Sequence, residues 1–255
     1  MDDEDGYFPE HIAATYDESL ADMFQPESVR PAVDFLAELA GLAGLAGLAG
    51  HGRALELGIG TGRIALPLAA RGVPVHGIDL SQAMVARLRA KPGGDAIGVT
   101  IGDFATTRVD GPFSVAYLVF NTIMNLTTQD AQVACFRNVS DHLAPGGCFV
   151  VEVMVPELRK LPPGQHAVPF HVGAERLGFD TYDTATQAMS SHHVRVADGQ
   201  ATYFEIPFRY VWPAELDLMA RLAGLRLRER WEGWTREPFG HDSGRHVSVW
   251  EKPAH

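Results

Sequence analysis

The chain has 255 residues, 46% of them hydrophobic and 21% charged, with a formal net charge of −11. Such a chain can bury a sizeable core as one large domain, or as a domain carrying an insertion, and an acidic balance of this size argues against a nucleic-acid substrate. Two cysteines, Cys135 and Cys148, make no disulfide framework and suit a reducing cytoplasm, and no stretch approaches the ~18 apolar residues of a membrane span.

The N-terminus is an acidic run, Asp2 to Asp5, without the apolar core of a signal peptide. Residues 1–25 are otherwise polar with scattered aromatics. Val29, Val33, Leu36 and Leu39 recur at helical spacing and predict a helix over 27–49. Its end dissolves into a Gly-Leu-Ala repeat over 41–49, read as a frayed end or connector, since each Gly weakens a helix by ~1 kcal/mol.

From Arg53 the pattern alternates. A strand over 54–57 runs into Gly58-Ile59-Gly60-Thr61-Gly62, followed by a helix over 62–71. A strand follows over 73–79, then a helix capped by Ser81, then strands over 97–101 and 113–120. The continuous apolar run Val115 to Val119 reads as a strand buried on both faces. A helix over 128–143 stops at Ala144-Pro145-Gly146-Gly147, and Cys148 to Met154 is a fifth strand. Residues 155–212 switch to period-two alternation with turn signals at Pro162-Pro163-Gly164 and Asp198-Gly199, which predicts an antiparallel insertion. A helix over 214–223 and strands over 225–231 and 245–252 complete the alternation. Units of this kind make a mostly parallel sheet with right-handed crossovers.

The informative segment is Leu55-Glu56-Leu57-Gly58-Ile59-Gly60-Thr61-Gly62, a Gly-rich strand-to-helix turn that lets a ligand lie against bare backbone. A dinucleotide fingerprint requires a third small residue where Arg63 stands, and a P-loop requires a Lys that the turn lacks. A nucleoside-like ligand with an amino-acid tail and no phosphates fits better. Asp79 ends the second strand, 17 residues after Gly62, where a carboxylate can accept both ribose hydroxyls. Ile101-Gly102-Asp103-Phe104 ends the third strand: Asp103 can accept from an adenine amino group while Phe104 borders the base.

In this order and spacing, the three pieces resemble the class I S-adenosylmethionine-dependent methyltransferases over residues 50–155, with the late strands at 224–252. The resemblance implies a Rossmann-like α/β fold, a seven-stranded mostly parallel sheet with helices on both faces and the antiparallel β insertion after strand 5. It divides the chain into an N-terminal helical lid over 1–50, a cofactor domain over 51–154 and 213–255, and an acceptor lid or dimer surface over 155–212. It implies S-adenosyl-L-methionine as cofactor and no metal. Glu56, Gly58, Gly60 and Gly62 would form the methionine side of the site, Asp79 would hold the ribose, and Leu80, Asp103 and Phe104 the adenine. Met84 would pack on the adenine or in the core.

Val119-Phe120-Asn121-Thr122 at the end of the fourth strand lacks the N/D-P-P-Y motif of members acting on nucleobases or glutamine amides, and is similar to small-molecule members, including antibiotic amino-sugar N-methyltransferases. Some of those carry a His where Asn125 stands. Ile12-Ala13-Ala14-Thr15-Tyr16-Asp17 resembles a lead-in whose Tyr closes over cofactor or acceptor, which makes Tyr16 a candidate and Tyr7 a second. Candidate catalytic residues are Tyr16, Phe120, Asn125 and His171, the last with His166, His192 and His193 as insertion histidines; Tyr16 and Phe120 are cofactor-binding candidates as well. Tyr182, Arg209, Trp212, Trp231 and Trp234 are candidate acceptor-pocket residues. The expected partner is a small-molecule acceptor, methylated on N or O, with no nucleic acid, no membrane and a possible homo-oligomer through the insertion. Two readings compete: a non-methylating S-adenosylmethionine-binding protein, and a nicotinamide-dependent oxidoreductase.

Overall fold

The computed structural model describes residues 8, 10–45, 52–197 and 199–254. Tyr7, the acidic run, Asp198 and residues 46–49 of the Gly-Leu-Ala repeat lie outside them.

Three short helices, α1 (Glu10–Ala13), α2 (Tyr16–Ser19) and α3 (Ala21–Phe24), precede the long α4 (Pro26–Leu45). Then come β1 (Ala54–Leu57), α5 (Ala65–Ala70), β2 (Val75–Asp79), α6 (Gln82–Arg89), β3 (Gly98–Ile101), β4 (Phe113–Leu118), α7 (Gln129–His142) and β5 (Leu143–Met154). The insertion holds β6 (Ala167–Val172), β7 (Arg176–Tyr182), β8 (Ala188–Ala197) and β9 (Gln200–Arg209); α8 (Pro213–Leu222), β10 (Arg226–Trp231) and β11 (Arg245–Glu251) close the chain. The main sheet has the order β10-β11-β5-β4-β1-β2-β3, with only β11 reversed, and β6-β7-β8-β9 form a separate antiparallel sheet. The expected fold class stands.

Alternation along the central strands sorts the core into two layers. Val115 and Tyr117 of β4 face Val33, Leu36 and Leu39 of α4. Ala116 and Leu118 face the other way, toward Phe136 and Val139 of α7, Leu216 of α8 and Trp250. Phe136, Phe149 and Trp250 form an aromatic knot, with ring centroids 4.9 and 5.3 Å from Phe136.

Boundaries differ from the sequence reading where turns intervene. The helix after the glycines begins at Ala65 rather than 62, because the turn continues through Ile64. The fourth strand ends at Leu118 rather than 120, because Phe120 and Asn121 adopt positive φ. The stop signal does end α7 at His142, but Ala144 to Gly147 then run on as the start of β5, past an irregular register with β4.

Candidate functional site

In an open parallel sheet, ligands bind beyond the carboxyl ends of the strands where strand order reverses. Here that point lies between β1 and β4, which pair with each other and diverge to β2 and β5. The glycine turn leaves β1 there. Gly60 sits at φ 54°, a conformation that glycine adopts without strain. A Cβ on Gly58 would meet Thr122 Cγ2 at 2.7 Å, and one on Gly62 would meet Leu88 Cδ1 at 2.3 Å. So Gly58 lets the segment after β4 close against the turn, and Gly62 lets α6 pack beneath it.

Asp79, at the end of β2, accepts from the amides of Gly60 (2.6 Å) and Ser81 (2.9 Å). Burial pushes its carboxyl above the usual range, and those amide bonds work against the rise. Two amide contacts leave further lone pairs free. Leu80 beside it is 43% exposed. Ser81 caps α6, accepting from the Met84 amide, as its sequence position suggested.

Asp103 lies in the exposed loop after β3 and spends Oδ1 on the Ala105 amide. The sequence missed what fixes this loop. Asn138 of α7 donates to the carbonyls of Phe104 and Thr107, and His142 accepts from the Val109 amide. The Phe104 ring then comes within 3.9 Å of a Cβ built on Gly58.

Glu56 is 2% exposed; it accepts from the Tyr117 hydroxyl at 3.0 Å, and burial raises its carboxyl to about 8. The field of Arg63 lowers both Glu56 and Tyr16. The Arg63 guanidinium also stands 5.5 Å over the Phe120 ring. Arg63, used in the sequence only to reject a dinucleotide fingerprint, is thus the cation at the centre of these residues.

The N-terminal helices close over this turn. Asp17 accepts from the Thr61 hydroxyl at 2.6 Å and pairs with Lys91, which itself donates to the Thr61 carbonyl. The Ser81 hydroxyl donates to the Phe8 carbonyl at 2.7 Å. Tyr16 lies half-buried beneath, its phenol pushed up to about 12 by burial. Met84 is buried with Ala13 and Ala83, against Phe8 and Tyr16, and its Cε lies 3.4 Å from a Cβ built on Gly60. Met84 therefore joins lid to turn.

Phe120 is 36% exposed at φ 57°. Its strained turn is held by Glu152 of β5, which accepts from the Phe120 amide and from Trp234 Nε1, while Asn121 Oδ1 accepts from the Met154 amide. The next turn, Thr122–Asn125, ends in Asn125, whose Nδ2 is buried without a partner.

The other candidates scatter. Trp234 packs edge-on to Phe35 of α4, and Trp231 packs into the same layer. Arg209 is buried in a network with Gln132, Gln187 and Glu215 that ties β9 to α7 and α8. His166 and His171 are exposed on the outer part of the insertion. His192 stacks on Phe179, and His193 on Phe204. Tyr182 is buried against Tyr210, and Tyr210 meets the half-exposed Trp212 edge-on.

A glycine turn under a lid, a carboxylate closing β2 and an aromatic turn closing β4 define a Rossmann-like protein built for a nucleoside with a charged tail. Residues 54–147 match the methyltransferase domain family. The CcbJ methyltransferase of Streptomyces caelestis is 36% identical, with a TM-score of 0.82 over 99% of this chain and 100% of that one. The cypemycin N-terminal methyltransferase of a Streptomyces species is 28% identical over 78% of this chain and 82% of its own length. The amino pentose methyltransferase CalS10 of Micromonospora echinaspora, solved with S-adenosylmethionine, shares the fold at a TM-score of 0.67 and 23% identity, over 92% of this chain and 96% of that one. The chain belongs to the S-adenosylmethionine-dependent methyltransferases. It is an enzyme with S-adenosylmethionine as cofactor, as the sequence suggested, and the nicotinamide reading falls away. Among the described residues, no helix is long and apolar enough to cross a membrane.

Proposed function

We propose that this enzyme N-methylates a small amine, of the kind found in natural products, and that it does not act on nucleic acid. The cypemycin enzyme and CalS10 support this by what their names say they methylate, a peptide N-terminus and an amino pentose. The net charge of −11 supports the exclusion of nucleic acid. The observation that carries the cofactor roles is the Asp79 carboxylate, buried and anchored by two amides at the mouth of the glycine turn.

On this reading Asp79 accepts from the ribose hydroxyls. Leu80 and Phe104 flank the adenine, and the free oxygen of Asp103 accepts from its amino group. Glu56 and the glycine turn line the methionine tail, and Arg63 pairs with its carboxylate. Tyr16 keeps its proton at any working pH, because its phenol is raised to about 12, and so serves as a donor over the tail. Bound there, S-adenosylmethionine supplies a methyl carbon on a positive sulfur, open to in-line displacement by an amine lone pair.

The chain's own part is alignment and exclusion of water. Phe120 and Arg63 wall the site on the β4 side, and the Asp17–Thr61–Lys91 latch seals the lid. A neutral amine requires no base before attack, so neither Asn125 nor His171 is assigned proton transfer. Residues 155–212 act as the acceptor lid, and their outer face, with Leu177 and Tyr203 exposed, is where copies of the chain would associate. Two buried free thiols fit a cytoplasmic location.

Calorimetric titration with S-adenosylhomocysteine, followed by methyl transfer to matched amines and alcohols, tests the proposal. One-to-one binding and methylation of amines alone support it. Methylation of the alcohols alone overturns it.

A further inference from the structure

The insertion sheet turns one face to the protein core, and β7 brings a polar pair onto that face. Strand alternation puts Asp180 and Tyr182 on the same side. Asp180 pairs across with Ser191 and Val168, Tyr182 with Met189, and Val168 and Met189 are both buried. Tyr182 and Met189 belong to the same buried cluster as Ile123 and Met124, in the turn that follows Phe120. That turn abuts Gly58 through Thr122 and packs on β9. The polar pair therefore shares a buried layer with the turn that follows Phe120.

The pair leaves polar atoms unsatisfied. Asp180 Oδ1 and the Tyr182 hydroxyl are buried with no hydrogen-bond partner, and Tyr182 is only 5% exposed. Asn125 Nδ2, in the turn facing the sheet, is a third such atom. A buried polar atom without a partner is costly, and natural chains keep few of them. Burial raises both groups most; Glu157 adds to both and Asp180 to Tyr182, while the Ser191 hydroxyl and the field of His192 lower Asp180 and a Glu157 backbone bond lowers Tyr182. The balance is an electron-rich spot, with the carboxyl held above its ordinary range by burial. Farther along the same face, Ser191 contacts His193 at 3.2 Å, and His193 lies flat against Phe204. The lane is thus polar at its inner end and aromatic at its outer end.

We propose that Asp180 and Tyr182 are the acceptor-binding pair, holding an amine-bearing small molecule by its N–H donors through Asp180 Oδ1 and the Tyr182 hydroxyl. This rests on the reading of the enzyme as an amine methyltransferase. An anionic oxygen with no donor of its own calls for an N–H or ammonium group, and Tyr182 can accept from the same group or donate to a neighbouring ring oxygen. The aromatic end of the lane offers apolar surface to the remainder of the acceptor.

The test is titration of glucosamine, followed by NMR, into the protein with and without S-adenosylhomocysteine. N-acetylglucosamine, which lacks the basic nitrogen, serves as control. Glucosamine binding at least tenfold tighter than its acetylated form is expected. Asp180→Asn is expected to lose about tenfold and Tyr182→Phe about threefold, both with unchanged affinity for S-adenosylhomocysteine. Tyr182→Phe is also expected to melt no lower than wild type; a lower melting temperature marks instead a structural hydroxyl held by the Glu157 backbone. Equal binding of the two sugars, no glucosamine binding, or an unaffected Asp180→Asn variant overturns the proposal. Loss of S-adenosylhomocysteine binding by wild type instead sinks the methyl-donor reading, while the two sugars still judge the pair.

Discussion

At the scale of single residues, electrostatics decides how the site works. Asp79 is held by two amides, so replacing it leaves those amides free to meet water and, on the proposed role, removes a ribose contact. Asp79→Ala is expected to weaken S-adenosylhomocysteine by about 2–3 kcal/mol, the scale of a charged hydrogen-bond pair, with the melting curve little changed. Calorimetry beside a thermal melt checks both. Glu56 behaves differently. Its carboxyl titrates near 8 folded and near 4.5 unfolded, so the folded state holds the proton more tightly. Stability therefore falls as pH rises from about 5 to 8, and Glu56→Gln should flatten that fall in the ligand-free protein by up to a few kcal/mol. Melting temperatures of both proteins at pH 5 and pH 8 read the difference. At Gly60 the backbone itself is the constraint: a Cβ there would lie 3.4 Å from Met84 Cε, an ordinary contact, but φ is 54°. Gly60→Val is expected to abolish cofactor binding through backbone strain at positive φ and a side chain in the proposed ligand space.

At the scale of elements, short helices and turns are fixed by partners distant in sequence. The helices α1 to α3 have four residues each, too short to stand alone. They hold position because Asp17 reaches Thr61 and Lys91, and because Ser81 reaches the Phe8 carbonyl. Asp17→Ala should therefore loosen the lid: S-adenosylhomocysteine is expected to dissociate about three- to thirtyfold faster, and protease to cut residues 10–24 sooner. An unchanged dissociation rate would show that the latch is ornamental. The turn at Phe120 depends similarly on β5. Without the Glu152 carboxylate, the Phe120 amide and Trp234 Nε1 lose their acceptor. Glu152→Ala is expected to lower kcat about tenfold or more, with cofactor affinity nearly unchanged, as the proposed place of Phe120 beside the acceptor requires. Steady-state kinetics with the best amine of the panel separates the two effects.

At the scale of the whole molecule, two apolar layers clamp the sheet and set the site's rigidity. Trp250, fully buried between Phe136 and Phe149, anchors the α7–α8 layer. Trp250→Ala should cost about 3–5 kcal/mol of stability, measured by denaturant unfolding, with little effect on cofactor affinity where the fold persists. The succession of strands and helices along the chain, the β insertion and the class of reaction were all legible in the sequence. Periodicity is a local property, and the glycines, Asp79 and the Asp103-Phe104 pair stand at fixed distances along the chain from their strands. The sequence could also name Tyr16 and Phe120, by their place before and after the cofactor strands. It could not say that Arg63 turns toward Phe120, that Glu152 and Asn138 hold the two loops of the site, or that Trp234 bonds Glu152 while Arg209 lies in a buried network with Gln132, Gln187 and Glu215. Nor could it tell which face of β7 is turned inward. Those facts depend on pairings between residues tens of positions apart, such as Glu152 with Phe120 and Asn138 with Phe104. Only the closed sheet and its packed layers bring such residues within hydrogen-bonding reach.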